Sequence, residues 1–450
     1  MREVRRDAHW WRSRNGEGLV AGSPGTFFRV TGKWAAVLDA VTAGDPVGES
    51  ALLDRLVAAG AVHPLPGDPA PADQVTVVIP LFARSQPEID GAQELVDMLA
   101  PLRTVVVDDA SPLPVRLERT TVITRGTNGG PAAARNTGMA EVTTPFVAFV
   151  DADIRVSAGD ILRLTGHFVD PNVAFAAPRV VTRAGGSVIA EYESVGSRLD
   201  MGARPARVRP GSVVPFVPSA TLVARSSAMQ AGFDESMRTG EDVEFVWRES
   251  GDSRQCRYEP DVQAEHLPRA SFAAFIRQRF GYGRSAADID ARRPWSVAPV
   301  RGNIFHLLPL GLLLAGQMFW AADALFVSVA FTLFNLRGMG LTVRNRLSVA
   351  WLSVATASRH LATAITREWW PVFVVLSAIS PEVEVAFWFS LAGLVLVDIM
   401  KLRPPNIAMF LPLRVLDNLA YGTGVWAGAF ARRSPRCLLP RISARPRRGG

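Results

Sequence analysis

Residues 146–153 read FVAFVDAD, so that two aspartates, Asp151 and Asp153, follow directly on five apolar residues. An unbroken apolar run of this length is typical of a strand that is buried on both faces of a sheet. Side chains two residues apart in a strand point to the same side, and neighbouring carboxylates repel each other. Either the strand has ended and both side chains reach water, or the two aspartates share a cation.

Similar apolar runs precede this one and alternate with helical stretches. VTVVIP begins at Val75, RTVVVDDAS at Arg103 and TVITRG at Thr121, and the stretches DGAQELVDMLAPL and PAAARNTGMAEV between them have helical character. Apolar strands that alternate with helices predict a parallel sheet with helices on both faces. In such sheets ligands bind at the carboxyl ends of the strands, which is where the acidic residues occur.

The acidic pairs at two strand ends each have two interpretations. Asp108 and Asp109 follow one strand, where aspartate is also common as a turn or cap residue. Asp151 and Asp153 either form a solvated turn or hold a hard divalent cation together with phosphate oxygens, as Mg²⁺ or Mn²⁺ usually binds. The second interpretation predicts a metal site for a phosphorylated ligand.

A glycine-containing loop and a third acidic pair complete the set of motifs. TNGGPAAARNTG, residues 127–138, predicts a loop that opens a helix, but it lacks the Gly-Lys-Ser/Thr of a P-loop and the G-x-G-x-x-G spacing. No ATP or hydride chemistry is therefore indicated. Glu241 and Asp242 follow a glycine at a predicted helix start, where a carboxylate acts either as a general base or as a charge that favours the helix N-terminus.

The motifs VVIP, VVVDDAS, NGGPAAARNTG, FVDAD and GFDESMRTGEDVEFVWR occur in this order over roughly residues 75–290. Together they resemble the family 2 nucleotide-sugar glycosyltransferases of the GT-A fold. The expected fold class is therefore α/β: a GT-A domain with a mixed, mostly parallel sheet, a small N-terminal α+β unit and a helical C-terminal region.

This resemblance implies a role for each matching residue. The nucleotide sugar would be bound by Pro80, Asp108, Asp109, Asn128, Arg135 and Asp151. Asp153 would be the direct metal ligand, with Mg²⁺ or Mn²⁺ as cofactor, and Asp242 the catalytic base with Glu241 beside it. His266 would be an additional metal or diphosphate contact, although a single histidine is also common as a structural residue.

A closer resemblance lies outside the catalytic motifs. ITREWWPVFVV at residues 365–375, LRVLDNLAYGTGVWAGAF at 413–430 and the N-terminal LVAAGAVHPLP resemble the glycosyltransferases of mycofactocin biosynthesis. This resemblance spans nearly the whole chain and implies transfer of a hexose, with UDP-glucose as the expected donor. The acceptor would be premycofactocin, a small peptide-derived redox cofactor, and a single displacement would invert the sugar to a β linkage.

Two other functions stay open from the sequence. An apolar C-terminal region would also suit a glycosyltransferase that acts on a polyprenyl phosphate or another lipid or polysaccharide acceptor at the membrane. A non-enzymatic alternative is a peptide-binding protein with an inactive GT-A unit, but the presence of Asp151, Asp153 and Asp242 together weighs against it.

The C-terminal region becomes apolar from about Arg301. GNIFHLLPLGLLLAGQMFWAA, residues 302–322, has the length of roughly 20 residues that a spanning helix needs, whereas the later apolar runs look too short. We expect these helices to lie against or dip into a membrane; a buried helical domain of a soluble protein is the alternative. The net charge of +7 and the absence of an N-terminal signal favour a cytoplasmic protein at the inner face of the plasma membrane.

The chain is predicted to have an N-terminal domain, a linker, a catalytic domain and two C-terminal segments. The N-terminal zone reads as strand, helix, helix and strand, which suits a peptide-recognition unit or, alternatively, a DNA-binding winged helix. We expect no nucleic-acid partner. The predicted boundaries are 1–66 for the small N-terminal domain, 67–74 for the linker, 75–300 for the GT-A domain, 301–432 for the apolar helical region and 433–450 for a frayed basic tail.

Overall fold

The structure is a computed structural model that describes residues 1–443 except 15, 17, 24, 31, 252, 269 and 270. Residues 444–450 of the predicted basic tail lie outside the described residues. Within the described part, the chain forms two compact units. The first unit consists of the described residues of Met1–Arg5 and Gly44–Arg269, and the second of the described residues of Arg6–Ala43 and Ala270–Gly450.

The N-terminal zone contains both predicted helices and both predicted strands, preceded by short strands that the sequence did not predict. In chain order its elements are β1 (Val4–Arg6), β2 (Trp10–Arg12), β3 (Gly18–Ala21), β4 (Thr26–Arg29), α1 (Ala35–Ala43), α2 (Ala51–Ala58) and β5 (Val62–Pro64). Ser50 caps α2 by accepting a hydrogen bond from the Leu53 amide at 3.2 Å. β1 pairs with β5, and β2, β3 and β4 form a separate sheet. Residues 1–66, predicted as one small domain, are thus shared between the two units.

The first unit contains a nine-stranded mixed sheet among the described residues. Its strands are β6 (Val75–Leu81), β7 (Arg103–Asp108), β8 (Thr121–Thr124), β9 (Phe146–Val150), β10 (Ile154–Arg155), β11 (Val173–Thr182), β12 (Ala206–Val208), β13 (Thr221–Arg225) and β14 (Gln255–His266). Their order is β10-β14-β11-β13-β9-β6-β7-β8, with β12 paired to β14. β8, β7, β6 and β9 run parallel, and β13 is antiparallel to both of its neighbours. The predicted mixed sheet is confirmed.

Helices cover both faces of this sheet because its strands are apolar on both sides. They are α3 (Gln86–Met98), α4 (Pro131–Met139), α5 (Ala158–Thr165), α6 (Val188–Gly196) and α7 (Glu241–Glu249). Leu95 of α3 and Ile161 of α5 belong to one apolar core. Ala134 of α4 and Phe245 of α7 belong to the other. The carboxyl ends of β6, β7 and β9 therefore open at one edge of the sheet, as in other helix-covered parallel sheets.

The second unit is mainly helical. After the N-terminal elements it contains α8 (Phe272–Arg292), β15 (Arg301–Asn303), α9 (Ile304–Leu314), α10 (Met318–Asn335), α11 (Val343–Thr366), α12 (Trp370–Ser377), α13 (Pro381–Leu402), α14 (Ile407–Ala431) and β16 (Arg441–Ser443). β16 pairs with β15, and the Trp369 indole donates a 2.7 Å hydrogen bond to the Leu438 carbonyl. The expected fraying of the tail is wrong for this part, because Cys437 and Leu438 are buried against the helices.

The apolar stretches differ in length from what the sequence predicted. Residues 302–322 do not form one helix, because α9 ends before Gly316, whose φ is 72°, and α10 begins at Met318. By contrast, Pro381–Leu402 is one helix of 22 residues. Glu382 and Glu384 lie in its first turn, so they do not interrupt the apolar part of the helix. Within the described residues, two segments, Met318–Met339 and Pro381–Leu402, are long and apolar enough to cross a membrane.

Helices α8 and α14 pack with their backbones in direct contact through glycines. A Cβ atom on Gly424 of α14 would overlap the carbonyl oxygen of Phe280 in α8. A Cβ on Gly283 of α8 would likewise overlap the carbonyl oxygen of Tyr421. Because the obstructing atoms are backbone, the helices would have to move apart to accept any side chain at these positions.

Replacing Gly424 by alanine is therefore expected to destabilise the second unit by about 1–3 kcal/mol or more, the usual cost of overpacking. The matched control is Gly393→Ala in α13, where a Cβ would meet nothing within 4 Å. Alanine there should be neutral or stabilising by up to about 1 kcal/mol, because it favours the helix. Urea denaturation followed by tryptophan fluorescence measures both, and equal midpoints for the two variants would contradict the close packing.

Candidate functional site

The predicted acidic residues lie at the carboxyl ends of the central parallel strands. Asp108 is the last residue of β7, and Asp151 directly follows β9. Pro80 is half-buried in β6, paired in register with Val107, and the Asp109 amide donates a 2.8 Å hydrogen bond to the Leu81 carbonyl. The strand order places β7, β6 and β9 side by side, so these residues share one edge of the sheet.

Asp108 closes the turn after β7. Its Oδ1 accepts a 2.9 Å hydrogen bond from the Ser111 amide, and the Ser111 hydroxyl accepts one of 2.8 Å from the Ala83 amide. Asp108 is only 3% exposed. Asp108 therefore acts as a turn residue, which is one of the two interpretations that the sequence allowed for it.

Asp109 holds the loop that leads into α4. Its Oδ1 accepts a hydrogen bond from the Gly129 amide at 2.9 Å and its Oδ2 one from the Gly130 amide at 2.7 Å. Gly130 has a φ of 88°, which only glycine adopts without strain. The Asn128 amide group donates to the Asp109 carbonyl at 3.1 Å, and Arg125 Nε lies 2.9 Å from Asp109 Oδ1. The carboxylate of Asp109 thus fixes the loop conformation at the edge of the site.

The same loop is also held from the segment before α7. Arg238 Nη1 donates to Asn128 Oδ1 at 3.0 Å, and Arg238 Nη2 donates to the Asn128 carbonyl at 3.3 Å. Neither Arg125 nor Arg238 was among the predicted site residues. Arg125 lies in the run TVITRG and Arg238 in GFDESMRTGEDVEFVWR, so both belong to recognised stretches in which no role was assigned to them.

A buried arginine joins the end of β9 to the start of α7. Arg135 of α4 donates from Nη2 to Asp151 Oδ1 at 2.6 Å and from Nη1 to Glu241 Oε1 at 2.8 Å. The Arg135 side chain is 2% exposed, and its guanidinium lies 5.5 Å from the centre of the Phe233 ring. Buried charges are stable only when they are paired in this way.

The cluster contains more carboxylates than cations, and the pKa values reflect this. Burial alone would lower the pKa of Arg135, but the carboxylates of Asp151, Glu241 and Asp242 outweigh burial and raise it. Burial raises the pKa of Asp151, and the neighbouring charge of Asp153 adds to this effect against the opposing charge of Arg135. Burial, followed by repulsion from Asp242, raises the pKa of Glu241 to about 7. A further positive charge at this site would therefore be favourable.

The raised pKa of Glu241 predicts a pH-dependent stability. The folded state binds the Glu241 proton more tightly than the unfolded state does, because the pKa is about 7 when folded and near 4.5 when unfolded. The resulting contribution to the free energy of unfolding is fully present below pH 4.5 and is lost as the pH rises through 7. Glu241→Gln, which keeps an oxygen for Arg135, should remove this loss, so the variant gains stability relative to the parent between pH 5 and pH 8. Urea denaturation at both pH values measures it, and parallel pH dependences would contradict the assignment.

Asp153 and His266 face each other beside this cluster. His266, at the end of β14, pairs in register with Ile154, and its Nε2 lies 3.4 Å from Asp153 Oδ2. The His266 side chain is 5% exposed, and its Nδ1 is buried without a hydrogen-bond partner among the described residues. The Asp153 side chain is 37% exposed and so reaches the edge of the sheet.

This pair suits a hard divalent cation that also binds a phosphorylated ligand. Among the described residues, no group of three or more His, Cys, Asp or Glu side chains is arranged to hold a metal. Mg²⁺ and Mn²⁺ do not need such a group, because they usually take one or two carboxylates and complete their coordination with phosphate oxygens and water. Asp153, with His266 beside it, is therefore the pair of residues that could hold such an ion.

Asp242 lies in the first turn of α7 and is more accessible than Glu241. Its Oδ2 accepts a 3.0 Å hydrogen bond from the Ser219 amide and its Oδ1 one of 2.8 Å from the Val243 amide. Asp242 is half-buried, whereas Glu241 is 4% exposed. The preceding Gly240 has a φ of 79°, which allows the sharp entry into the helix. Ser219, which precedes β13, was missed because a single serine before a strand carries no recognisable signal.

The chain is similar in sequence and in fold to known glycosyltransferases. The model of glycosyl transferase family 2 matches residues 76–231. A mannosyltransferase structure from Pyrobaculum calidifontis, in complex with GDP-Man and Mn²⁺, is similar over 65% of this chain and 88% of its own, at 17% identity and a TM-score of 0.39.

Relatives with curated names match over almost the full length. The pre-mycofactocin glycosyltransferases of two strains of Mycobacterium tuberculosis are each 35% identical to this chain over an alignment of 454 positions, which covers 95% of both sequences. Similarity of this extent includes the N-terminal and helical parts as well as the GT-A sheet. The chain therefore belongs to the pre-mycofactocin glycosyltransferase family, within glycosyl transferase family 2.

Proposed function

We propose that this protein is an inverting hexosyltransferase that transfers glucose, in β linkage, from UDP-glucose to premycofactocin, a small peptide-derived acceptor. As a glycosyltransferase it uses a nucleotide-sugar donor and an acceptor. The main support for the proposed reaction is the cluster in which Asp151, Glu241 and Asp242 interact with Arg135. Asp153 lies beside this cluster. The choice of acceptor is supported by the name of the relatives with 35% identity.

In this proposal Asp242 is the catalytic base. Two backbone amides orient its carboxylate, and its partial exposure leaves it accessible to an acceptor hydroxyl. Asp242 would take the proton of that hydroxyl as the oxygen attacks the anomeric carbon from the face opposite the leaving group. One displacement inverts the anomeric centre, so the reaction needs no protein nucleophile.

Glu241 would act as a positioning residue. Its side chain is buried and bonded to Arg135, and Arg135 in turn holds Asp151. Removing Glu241 would therefore change the positions of the start of α7 and of the end of β9 together. In the proposed donor site, Pro80 and Asp151 contact the nucleotide sugar, while Asp108, Asp109 and Asn128 set the shape of the loops around it.

Asp153, together with His266, would hold Mg²⁺ or Mn²⁺, which supplies positive charge for the departing diphosphate when bound. The surplus of carboxylates in the cluster supports this assignment, because an added cation would relieve their mutual repulsion.

We also propose that the protein is cytoplasmic and associates with the inner face of the plasma membrane. The two long apolar helices support this location. They also support a second candidate acceptor, a polyprenyl phosphate, which would be presented at the same surface. We propose no nucleic-acid partner.

The test of the reaction is to incubate the purified protein with UDP-glucose, other UDP-sugars or GDP-mannose, in the presence of Mn²⁺ or Mg²⁺ and synthetic premycofactocin. The expected result is release of UDP and a product that is one or more hexoses heavier than the acceptor. A lipid-linked sugar made only with added polyprenyl phosphate would favour the second candidate. Absence of nucleotide release under all conditions would overturn the proposed activity.

Metal-dependent donor binding provides a separate prediction for Asp153. Asp153→Ala is expected to weaken binding of UDP-glucose in the presence of Mn²⁺ by at least about tenfold, because the direct ligand is lost. Calorimetric titration with Mn²⁺ and with a chelator measures the effect, and the chelator should reduce the parent enzyme to the level of the variant. The matched control is Asp54→Ala on the exposed side of α2, which should bind like the parent. Binding that Mn²⁺ does not affect would contradict the metal assignment.

A further inference from the structure

Two helices of the second unit, α10 and α13, expose large apolar side chains, which helices on the surface of water-soluble proteins direct toward the core. Large apolar side chains point outward from α10 and α13, including Phe319, Phe326, Phe334, Trp388, Phe389 and Met400. Each of these is more than half exposed; Phe326 is 74% and Phe389 57% exposed. We call the outward sides of α10 and α13 that carry these residues the apolar face.

The inward sides of the same helices carry small and polar residues. Ala321, Ser328 and Thr332 are the buried residues of α10, and Ala386, Ser390 and Asp398 those of α13. A helix on the surface of a soluble domain has the reverse pattern, with apolar residues toward the core and polar residues toward water. Helices that pack in lipid place small residues at their contacts instead, because these allow close approach.

Two of the polar residues on the inward sides, Ser328 and Asp398, are paired with side chains of other helices in the helical unit. Ser328 shares a 2.7 Å hydrogen bond with His306 Nδ1 of α9. Asp398 accepts hydrogen bonds of 2.6 and 2.9 Å from Arg414 of α14 and one of 3.1 Å from Arg359 of α11. Ionisable residues inside a membrane are expected to face the bundle interior and to be paired in this manner.

The dimensions and the ends of the helices also suit a bilayer. Pro381–Leu402 contains 22 residues, and at 1.5 Å per residue this helix is about 33 Å long, close to the hydrocarbon thickness of about 30 Å. Met318–Met339 also contains 22 residues, of which α10 comprises 18, or about 27 Å. Arg337 follows α10, and Lys401 and Arg403 lie at the end of α13. Cations at these positions can contact anionic lipid headgroups.

We propose that the apolar face is embedded in the acyl region of a lipid bilayer, with α10 and α13 as the lipid-contacting helices. This inference rests on the membrane association proposed above and names the surface that would carry it. It does not depend on the identity of donor or acceptor, so it can fail while the proposed reaction holds. The proposed reaction can likewise fail while the apolar face binds lipid, because nucleotide release is measured in detergent solution without vesicles.

The experiment uses the full-length protein purified in mild detergent and added to vesicles of phosphatidylcholine, with or without phosphatidylglycerol. After removal of detergent, the parent protein should float with both kinds of vesicle on a density gradient and remain bound at high salt. Brominated phosphatidylcholine should quench its tryptophan fluorescence, because Trp320 and Trp388 are exposed on the apolar face.

The variant Phe326→Glu/Phe389→Glu places one charge on each helix of the apolar face, and it should lower the vesicle-bound fraction by more than about tenfold. The matched control is Val169→Glu, since Val169 is 72% exposed but belongs to the first unit; this variant should float like the parent. Circular dichroism in detergent verifies that the variants are folded, and the quenching of the parent protein tests the proposal independently of them.

Three results would overturn the proposal. The parent protein could fail to float, or it could bind only to vesicles with phosphatidylglycerol and be released by salt, which would indicate a surface charge contact. Alternatively, it could form a lipid-free dimer that the double glutamate variant abolishes, which would assign the apolar face to a second copy of the chain.

Discussion

Asp242→Asn is expected to reduce sugar transfer by about 10²–10⁴-fold while UDP-glucose still binds, because the variant keeps the size of the side chain but loses the base. Asparagine can still accept a hydrogen bond from the Ser219 amide, so the start of α7 should keep its position. Initial rates of UDP release and calorimetric donor affinity, measured in parallel, separate loss of chemistry from loss of binding.

The control for this variant is Asp234→Asn, in the same connecting segment before α7. Asp234 accepts hydrogen bonds from its neighbour Ser236, and asparagine can replace it in such a turn. This variant should turn over like the parent. If Asp242→Asn also turns over normally while Glu241→Gln is inactive, the roles proposed for the two carboxylates must be exchanged.

The first half of the first unit could be predicted from local sequence, including four of the nine strands of its sheet. The apolar runs at Val75, Arg103 and Phe146 became β6, β7 and β9, because strands buried on both faces need continuous apolar residues. The run at Thr121 became β8, which lies at the edge of the sheet and is only partly buried. Their carboxyl ends were expected to share one edge, and the strand order places β7, β6 and β9 side by side.

The parts that were not predicted depend on distant contacts. β1, of three residues with two arginines, has no strand pattern of its own and forms only because β5 pairs with it. The helical break at Gly316 was missed because apolar composition continues across it, and only the positive φ of the glycine separates α9 from α10. Such features cannot be recognised in a local window of sequence.

The same limit applies to the candidate site. The residue types of Arg135, Asp151 and Glu241 were singled out, but nothing in the sequence indicated that one guanidinium would contact both carboxylates, since Arg135 and Glu241 are 106 residues apart. Ser219, which orients Asp242 through its backbone amide, has no side-chain signal at all. Motifs therefore predicted which residues gather at the site but not which of them hold the others in place.

Arg135→Met is expected to be the most destabilising of the variants considered, by about 3–5 kcal/mol, because it leaves buried carboxylates without their cation. Asp151, Glu241 and Asp242 all interact with the Arg135 charge. For a unit of this size, a loss of 1 kcal/mol corresponds to about 2–4 °C in Tm. Arg163→Met is the control, because the Arg163 side chain is 53% exposed and lies 3.9 Å from Asp160; its effect should stay within about 0.5 kcal/mol.

Adding Glu241→Gln to Arg135→Met should restore part of the lost stability, since it removes one of the unpaired carboxylates. The two changes are in direct contact, so their effects should not add, and a double-mutant cycle gives the coupling between the side chains. Lowering the pH from 8 to 5 should also raise the stability of Arg135→Met, because Glu241, with a pKa of about 7 in the parent protein, becomes protonated over that range.

Two results would contradict the proposed role of Arg135. If Arg135→Met is no less stable than Arg163→Met, or if neither the added Glu241→Gln change nor acid restores stability, then Arg135 does not hold the acidic cluster together. The link between the end of β9 and the start of α7 would in that case have to be sought in packing around Phe233, whose ring lies against the same guanidinium.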